Sequence, residues 1–475
     1  MDYDISILTK NWTSIIDKIN KDKYILMEPS LDEKERVHSI ILNYLKDNKR
    51  KIYGGYCLFE LIKIKNVKDA EQIYKKDIIP DIDFYSPEPL SDVISICDIL
   101  HKNGFKYVIS REAMHHETYN ISVNSIVYCD ITYVPKNIYN KIPYKEVNKL
   151  ILTHPHFLMI DYLRIFNDPM NSYWKFDNDM KPFKRFVLLQ KYYPINTTIS
   201  KDFNIIFKID NDINKVLNDI YKFLLDNNDI IVQGLYAYNY FLMINNNKGN
   251  NIPYYELISI NYKETCLSLL AILKTKYNDD INYTELFPFF QFTGYSTEIY
   301  FKDNLIVRIY CNNNMCIPYQ KVFAYNLNTN TISDKYINIG TYTSILMYGL
   351  ITIMRSKVCN DTYTKNLYYT FVINLINMRN VYLLKYKKTY LDNTIFKEFI
   401  TDCIGKGIRP ELMRKLLIEN RKKNNKKLTF TYEPANNIND EQKDNILGYT
   451  FANTSGNIIN NNKKLKLIDE KEDIS

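Results

Sequence analysis

Pro80-Asp81-Ile82-Asp83-Phe84-Tyr85, downstream of Gly54-Gly55, decides how this chain is read. A β-strand sends successive side chains to opposite faces, so Asp81 and Asp83 emerge on one face, one pleat apart. Two carboxylates that close repel each other unless a cation sits between them or one takes a proton. The pair is a metal clamp or an acid–base dyad. The glycines favour the clamp, because a glycine turn lets backbone N–H groups approach a phosphate closely.

Around this stretch the apolar spacing predicts a helix over 31–47, from Val37, Ile40, Ile41, Tyr44 and Leu45. A strand at Ile52-Tyr53 leads into Gly54-Gly55 and a helix over Tyr56–Lys65. After the Asp81–Tyr85 strand come a turn at Ser86–Pro89 and a helix over Asp92–Asn103, with Gly104 placed to cap it. Two alternating stretches follow, Tyr119–Val123 and Ser125–Val134, the second carrying Asp130. This order is a mixed α/β (α+β) module. The segment 150–175 reads as a further helix that presents Arg164 and stops at Asn167-Asp168-Pro169.

A second copy of the pattern begins 173 to 180 residues later. Pro80–Ser86 aligns with Pro253–Ser259, Gly55 with Gly234, and Ile126–Asp130 with Ile306–Tyr310. On that alignment Tyr254, Glu256 and Tyr310 replace Asp81, Asp83 and Asp130. One glutamate cannot neutralise two divalent ions, so the second copy reads as catalytically dead. The expected organisation is an N-terminal segment (1–30), a catalytic domain (31–195), a degenerate copy with C-terminal helices (196–418), and a flexible charged and Asn-rich tail (419–475). The run Arg421–Lys427 in that tail is a solvated helix end or a contact for RNA phosphates.

Composition narrows the class. The 475 residues suffice for two or three domains, are 46% hydrophobic, and contain no apolar run long enough for a membrane span. Met1-Asp2-Tyr3-Asp4 is acidic and lacks the apolar core of a secretory leader. The eight cysteines form no C-x-x-C pair and read as reduced thiols, not a disulfide frame or zinc site. A net charge of +8 supports nucleic-acid binding only weakly. The 42 tyrosines accompany an Asn/Lys/Ile excess that matches A/T-rich codons, so most are not base-stacking platforms. His154, His156 and the pair His115-His116 lack nearby cysteine partners and read as polar loop residues, not metal ligands.

Metal and phosphate together point to nucleotidyl transfer. Asp81 and Asp83 would bridge two Mg²⁺ or Mn²⁺ ions, and Asp130 is the candidate for the third carboxylate. Hard oxygen donors suit those ions better than zinc. Arg164 would meet a triphosphate or an RNA phosphate, or else form a salt bridge within its domain.

G-[GS], D-x-D and a distal Asp form the signature of the DNA polymerase β-like nucleotidyltransferases, which Gly54, Gly55, Asp81, Asp83 and Asp130 match. With the segment His154–Lys175, residues 30–400 resemble the catalytic poly(A) polymerase subunit of poxviruses and of Mimivirus-type giant viruses. The resemblance implies two tandem nucleotidyltransferase-like modules, the first active and the second degenerate. It implies addition of AMP from ATP to the 3′ end of viral mRNA in the host cytoplasm, in a viral factory, with the enzyme also in the virion. A homodimer or a viral processivity partner belongs to the same family picture, and no membrane does. Transfer of uridylate, CCA or 2′-5′-linked adenylate, and an RNA-binding scaffold without catalysis, remain the alternatives.

Overall fold

The computed structural model describes residues 2–26, 30–75, 78–115, 117–177, 180–195, 209–244, 251–327, 329, 331–424, 429–436 and 458–461. In chain order its strands begin with β1 (Lys51–Tyr53), β2 (Ile82–Ser86), β3 (Ile109–Glu112), β4 (Thr118–Val123) and β5 (Ile126–Tyr133). Next come β6 (Tyr144–Val147), β7 (Leu150–Thr153), β8 (Ile230–Gln233), β9 (Tyr255–Ser259), β10 (Ile281–Leu286), β11 (Ser296–Phe301) and β12 (Asn304–Cys311). The last are β13 (Ile317–Asn326), β14 (Thr331–Gly340), β15 (Cys403–Ile404), β16 (Thr431–Tyr432) and β17 (Ile458–Asn461). The chain divides into two compact units. One comprises Met1–Tyr133, Tyr144–Thr153 and Lys427–Thr450; the other comprises Val134–Pro143, His154–Lys426 and Phe451–Ser475.

The first unit holds a sheet in the order β16-β3-β4-β5-β2-β1-β7-β6. Its helix Leu31–Asp47 starts where Ser30 accepts a hydrogen bond from the Glu33 amide, and it buries Val37, Ile41 and Leu45 at four-residue spacing. Helix Pro89–Lys102 buries Val93, Ile96, Cys97 and Leu100, and Gly104 follows it at φ +85°. The strands carry apolar side chains on the covered face: Ile52, Ile82, Phe84, Cys129 and Ile131 are at most 1% exposed. The alternate positions, among them Tyr53, Asp83 and Asp130, are therefore left to the opposite face.

The second unit repeats this arrangement and adds one strand, β15, beyond β13, in the order β15-β13-β14-β8-β9-β12-β11-β10-β17. β1 pairs antiparallel with β2 as β8 does with β9; β2 pairs parallel with β5 as β9 does with β12. The parallel β1–β7 pair recurs as β8–β14, and the antiparallel pairs β4–β5, β3–β4 and β6–β7 recur as β11–β12, β10–β11 and β13–β14. The two modules expected from the sequence are thus real.

Their register differs from the sequence alignment in two places. Gly234 opens its helix at φ +59° as Gly54 does at φ +69°, so Gly54 and not Gly55 is its counterpart. Glu256 pairs with Arg308 where Asp83 pairs with Asp130, so the counterpart of Asp130 is Arg308 and not Tyr310. A loop two residues shorter or longer between paired strands shifts such an alignment without breaking the alternation that guides it.

Three further expectations change. The helix after β1 begins at Gly54 itself, so both glycines lie in its first turn. The helix expected over 150–175 is the strand β7 followed by helix Pro155–Phe166. Cys316 and Cys403 form a disulfide (Cα–Cα 5.3 Å), which corrects the reading of all eight cysteines as thiols; Cys57, Cys97, Cys129, Cys266 and Cys311 are free and buried, and Cys359 is free and exposed. The bridge fastens the edge strand β15 to β13, where Pro318 faces Cys403. Of the stretch 419–475, residues 425–428, 437–457 and 462–475 lie outside the described residues, while β16 pairs with β3 and β17 with β10. No helix among the described residues is long and apolar enough to cross a membrane.

Candidate active site

The register of four strands builds the site. Tyr53 of β1 lies opposite Asp83 of β2, Asp83 lies beside Asp130 of β5, and Asp130 lies opposite Asn120 of β4. These four side chains form one row across the open face of the sheet. Asp81 is one pleat further along the same face, just ahead of β2. It is exposed, while Asp83 and Asp130 are half-buried. The Tyr74 hydroxyl donates to Asp81 Oδ1 at 3.4 Å.

Gly54 decides how close the backbone comes. A Cβ built there would stand 2.1 Å from Asp83 Oδ2, and the φ of +69° is one that side chains disfavour. Only glycine lets the first turn of helix Gly54–Lys63 lie against a carboxylate. The free amides of that turn carry the positive end of the helix dipole, which suits an anion beside Asp83.

The electrostatics set the acids against one another. Burial, and then the charge of Asp81, push the Asp130 carboxyl up to about 6. Among the described residues no three His, Cys, Asp or Glu side chains form a ready metal cage. Mg²⁺ does not require one, since it commonly takes one or two carboxylates and completes its octahedron with water and substrate phosphate oxygens. The all-oxygen donor set and the mutual repulsion of Asp81 and Asp130 fit that mode.

A pH dependence follows. A carboxyl whose folded pKa lies above its free value binds its proton more tightly when folded, so without a cation the fold loses stability as pH rises through about 6. A cation that needs the ionised form reverses this. The rise in thermal midpoint caused by saturating Mn²⁺ should be larger at pH 7.5 than at pH 5. Equal rises at both pH values would remove Asp130 from the cation site.

The sequence reading missed a second row on the same face. Tyr85 stacks flat on Tyr53 (centroids 4.0 Å apart, planes at 4°), and the Tyr53 hydroxyl lies 2.8 Å from Thr132 Oγ1. Lys51, opposite Tyr85, is 5% exposed, with its ammonium 5.3 Å from the Tyr144 ring; burial pushes its pKa down to about 8. Arg50-Lys51 reads in sequence as the polar end of a helix, which hid this position. The strand alternation that exposes Asp83 would have placed Lys51 on the same face.

Arg164 belongs to the second unit. Its Nη1 donates to the Gln291 carbonyl at 3.1 Å, and its Nη2 lies 3.7 Å from Asp161 on the same helix. His154 accepts from the His156 amide at the start of helix Pro155–Phe166, and His156 Nε2 lies 3.3 Å from the Pro194 carbonyl, which accords with polar structural roles. His115 is described and His116 lies outside the described residues.

In the second module the row is rebuilt without acid pairs. Gly234 again lies against a carboxylate, with a built Cβ 1.8 Å from Glu256 Oε2. Arg308, in place of Asp130, reaches Glu256 (3.1 Å) and Glu298 (2.8 Å), and Arg355 also binds Glu298 (3.0 Å). Tyr368 donates to Glu256 and Tyr300 to Glu298, each at 2.5 Å. Burial alone would raise Glu298, but the two arginines hold it down at about 2. A guanidinium fixed to the chain thus stands at the register position that Asp130 holds in the first module.

Comparison with known proteins places these features in a family. A family model described as "Poly(A) polymerase catalytic subunit" matches residues 39–172. A second, described as "APMV, Putative poly(A) polymerase, catalytic subunit, C-terminal", matches residues 187–469. The chain is 35% identical over 473 residues to the "Putative poly(A) polymerase catalytic subunit" of Acanthamoeba polyphaga mimivirus, covering 91% of this chain and 78% of that one. An African swine fever virus protein of the same name is 29% identical over 205 residues, 40% of this chain and 42% of its own. The crystal structure of the Megavirus polyadenylate synthase superposes with a TM-score of 0.86 at 33% identity, covering 97% of this chain and 93% of that one.

Proposed function

The chain belongs to the viral poly(A) polymerase catalytic-subunit family, and from that premise we propose that its first module transfers AMP from ATP to the 3′ end of mRNA at Asp81, Asp83 and Asp130. The observation that carries this reading is the Gly54–Asp83–Asp130 row, in which a helix N-terminus and two adjacent carboxylates face one space. Asp81 and Asp83 would hold Mg²⁺ or Mn²⁺ against the triphosphate, and Asp130 would hold the ion nearer the acceptor. Two such ions, when bound, lower the pKa of the attacking hydroxyl and neutralise the leaving pyrophosphate.

The chain's own work is positional. Gly54 and Gly55 offer amides to the triphosphate at close range. Ionised Asp130 orients the acceptor end, and its flanking β-ladder keeps it in register with Asp83. The second module supplies no carboxylate row, so its part is to scaffold and to extend the RNA-facing surface. Transfer to viral transcripts would take place in the host cytoplasm, within the viral factory, and the enzyme would be carried in the virion. A second copy of the chain or a viral partner would serve to retain RNA between additions.

The test is incubation of the purified chain with an RNA primer and each nucleoside triphosphate in turn, with Mg²⁺ or Mn²⁺. ATP should be incorporated into long tails. Better incorporation of UTP or CTP would refute the poly(A) assignment while leaving the nucleotidyl-transfer site intact.

A further inference from the structure

We propose that the outer half of the β13–β14 hairpin is a stacking platform for single-stranded RNA, on which the paired rings of Phe323 and Tyr336 take a base and Lys321 takes a neighbouring phosphate. The proposal deepens the poly(A) reading above and rests on it for the identity of the strand, an adenylate tract.

The internal repeat marks this half of the hairpin as an addition. With Gly54 and Gly234 as counterparts, Lys51 matches Ile231, and their parallel partners Ile151 and Asn338 match in turn. Glu146, opposite Ile151, then corresponds to Lys321, opposite Asn338. In the first module the hairpin closes at the next pair, Val147–Leu150, through Asn148-Lys149. In the second it continues from the equivalent pair Val322–Ile337 as far as Asn326–Thr331. Phe323–Tyr336 is the first pair of that extension.

The extension is braced and yet exposed. Ser333–Lys335 stand against Ala324 alone, a bulge that sharpens the local twist. The hydroxyl of buried Tyr236 accepts from the Tyr325 amide at 3.2 Å and donates to the Tyr325 carbonyl at 2.9 Å, and Lys335 pairs with Asp226 at 2.6 Å. Beside this bulge the rings of Phe323 and Tyr336 stack with centroids 4.3 Å apart and planes at 27°, but they remain 51% and 42% exposed. Exposed Lys321 holds its ammonium 5.2 Å from the Tyr336 centroid. Aromatic faces beside a cation are the pairing that single strands use, since bases stack while backbone phosphates meet the charge. A protein partner fits less well. Even with Ile332, 76% exposed, the apolar area offered is roughly 350 Å², against the ~800 Å² that each side of a stable protein interface buries.

The experiment compares binding of oligo(A) and of an abasic oligomer of equal length, without divalent ions, across a salt series. Tyr336→Ala should weaken oligo(A) binding by roughly five- to tenfold, the cost of one lost base stack, with the salt slope unchanged. The abasic oligomer should bind Tyr336→Ala and wild type equally, because only its phosphates remain to be held. Tyr336→Phe should bind oligo(A) like wild type, since stacking needs the ring and not the hydroxyl. Lys321→Met should flatten the salt slope by about 0.7 with both oligomers, the value for one phosphate contact to a single strand. Lys321→Glu, at an exposed position, should weaken both oligomers and decides the matter if Tyr336→Ala does not fold. Unchanged oligo(A) affinity in the folded variants, or an equal loss with the abasic oligomer in Tyr336→Ala, would overturn the proposal. So would altered sedimentation of Tyr336→Ala with oligo(A) affinity retained, which would make this face a contact between copies of the chain. A wild-type chain that binds oligo(A) in this way but adds no AMP to it would instead refute the poly(A) reading and leave the platform standing.

Discussion

Asp83→Ala should lower tailing by at least ~10³-fold, about 4 kcal/mol of transition-state stabilisation, while primer binding stays close to wild type. Asp83 is the position where three features meet: the Gly54 amide turn on one side, Asp130 on the other, and Tyr53 across the ladder. Its removal leaves the triphosphate amides in place but takes away the carboxylate that would anchor both cations. Asp83 is half-buried on the open face of the sheet, so the thermal transition of the variant is measured beside its activity. A retained cooperative thermal transition, with tailing at or below about 0.1% of wild type, is the expected pair of results. Tailing above that level in a folded Asp83→Ala protein would refute the assignment of the cation site, whatever the family.

The part of this site visible in the sequence is the part set by local geometry. Strand alternation puts Asp81 and Asp83 on one face, and two glycines before a helix announce a close approach. Asp130 could be chosen because it stands in an alternating run. What the sequence could not supply was register, which turn lengths fix and residue patterns do not. The alternating run Ile306–Tyr310 is compatible with either Arg308 or Tyr310 on the site face of a neighbour, and only the pairing Glu256–Arg308 decides between them. Long-range partners were equally hidden. The Cys316–Cys403 bridge joins residues separated by 87 positions, and β16 and β17 join their sheets from a stretch whose composition reads as a tail. Lys51 was concealed by its neighbour: beside Arg50 it looks like solvated charge, yet Arg50 pairs with buried Asp92 at 2.7 Å and Lys51 turns to the opposite face.

Arg308→Met should cost about 3–5 kcal/mol of stability with little direct effect on chemistry in the protein that remains folded. Glu256 and Glu298 are 3% and 7% exposed, and Arg308 is the cation they share. Losing it leaves Glu256 with only the Tyr368 hydroxyl and leaves Glu298 to Arg355 and Tyr300. In the first module Asp81 is exposed and Asp83 and Asp130 are half-buried, so solvent reaches the row. The second module has closed over the equivalent row, so its charge balance must be built into the chain. Glu256→Ala is then no silent change in a dead site: it uncovers half of Arg308 and should also destabilise the unit. Adding Glu256→Gln to Arg308→Met should recover part of the loss, because the neutral amide needs no counter-charge. Chemical denaturation of the two single variants and the double variant measures this coupling. A loss below about 1 kcal/mol for Arg308→Met, or strict additivity in the double variant, would show that the guanidinium is not the internal substitute for a metal ion.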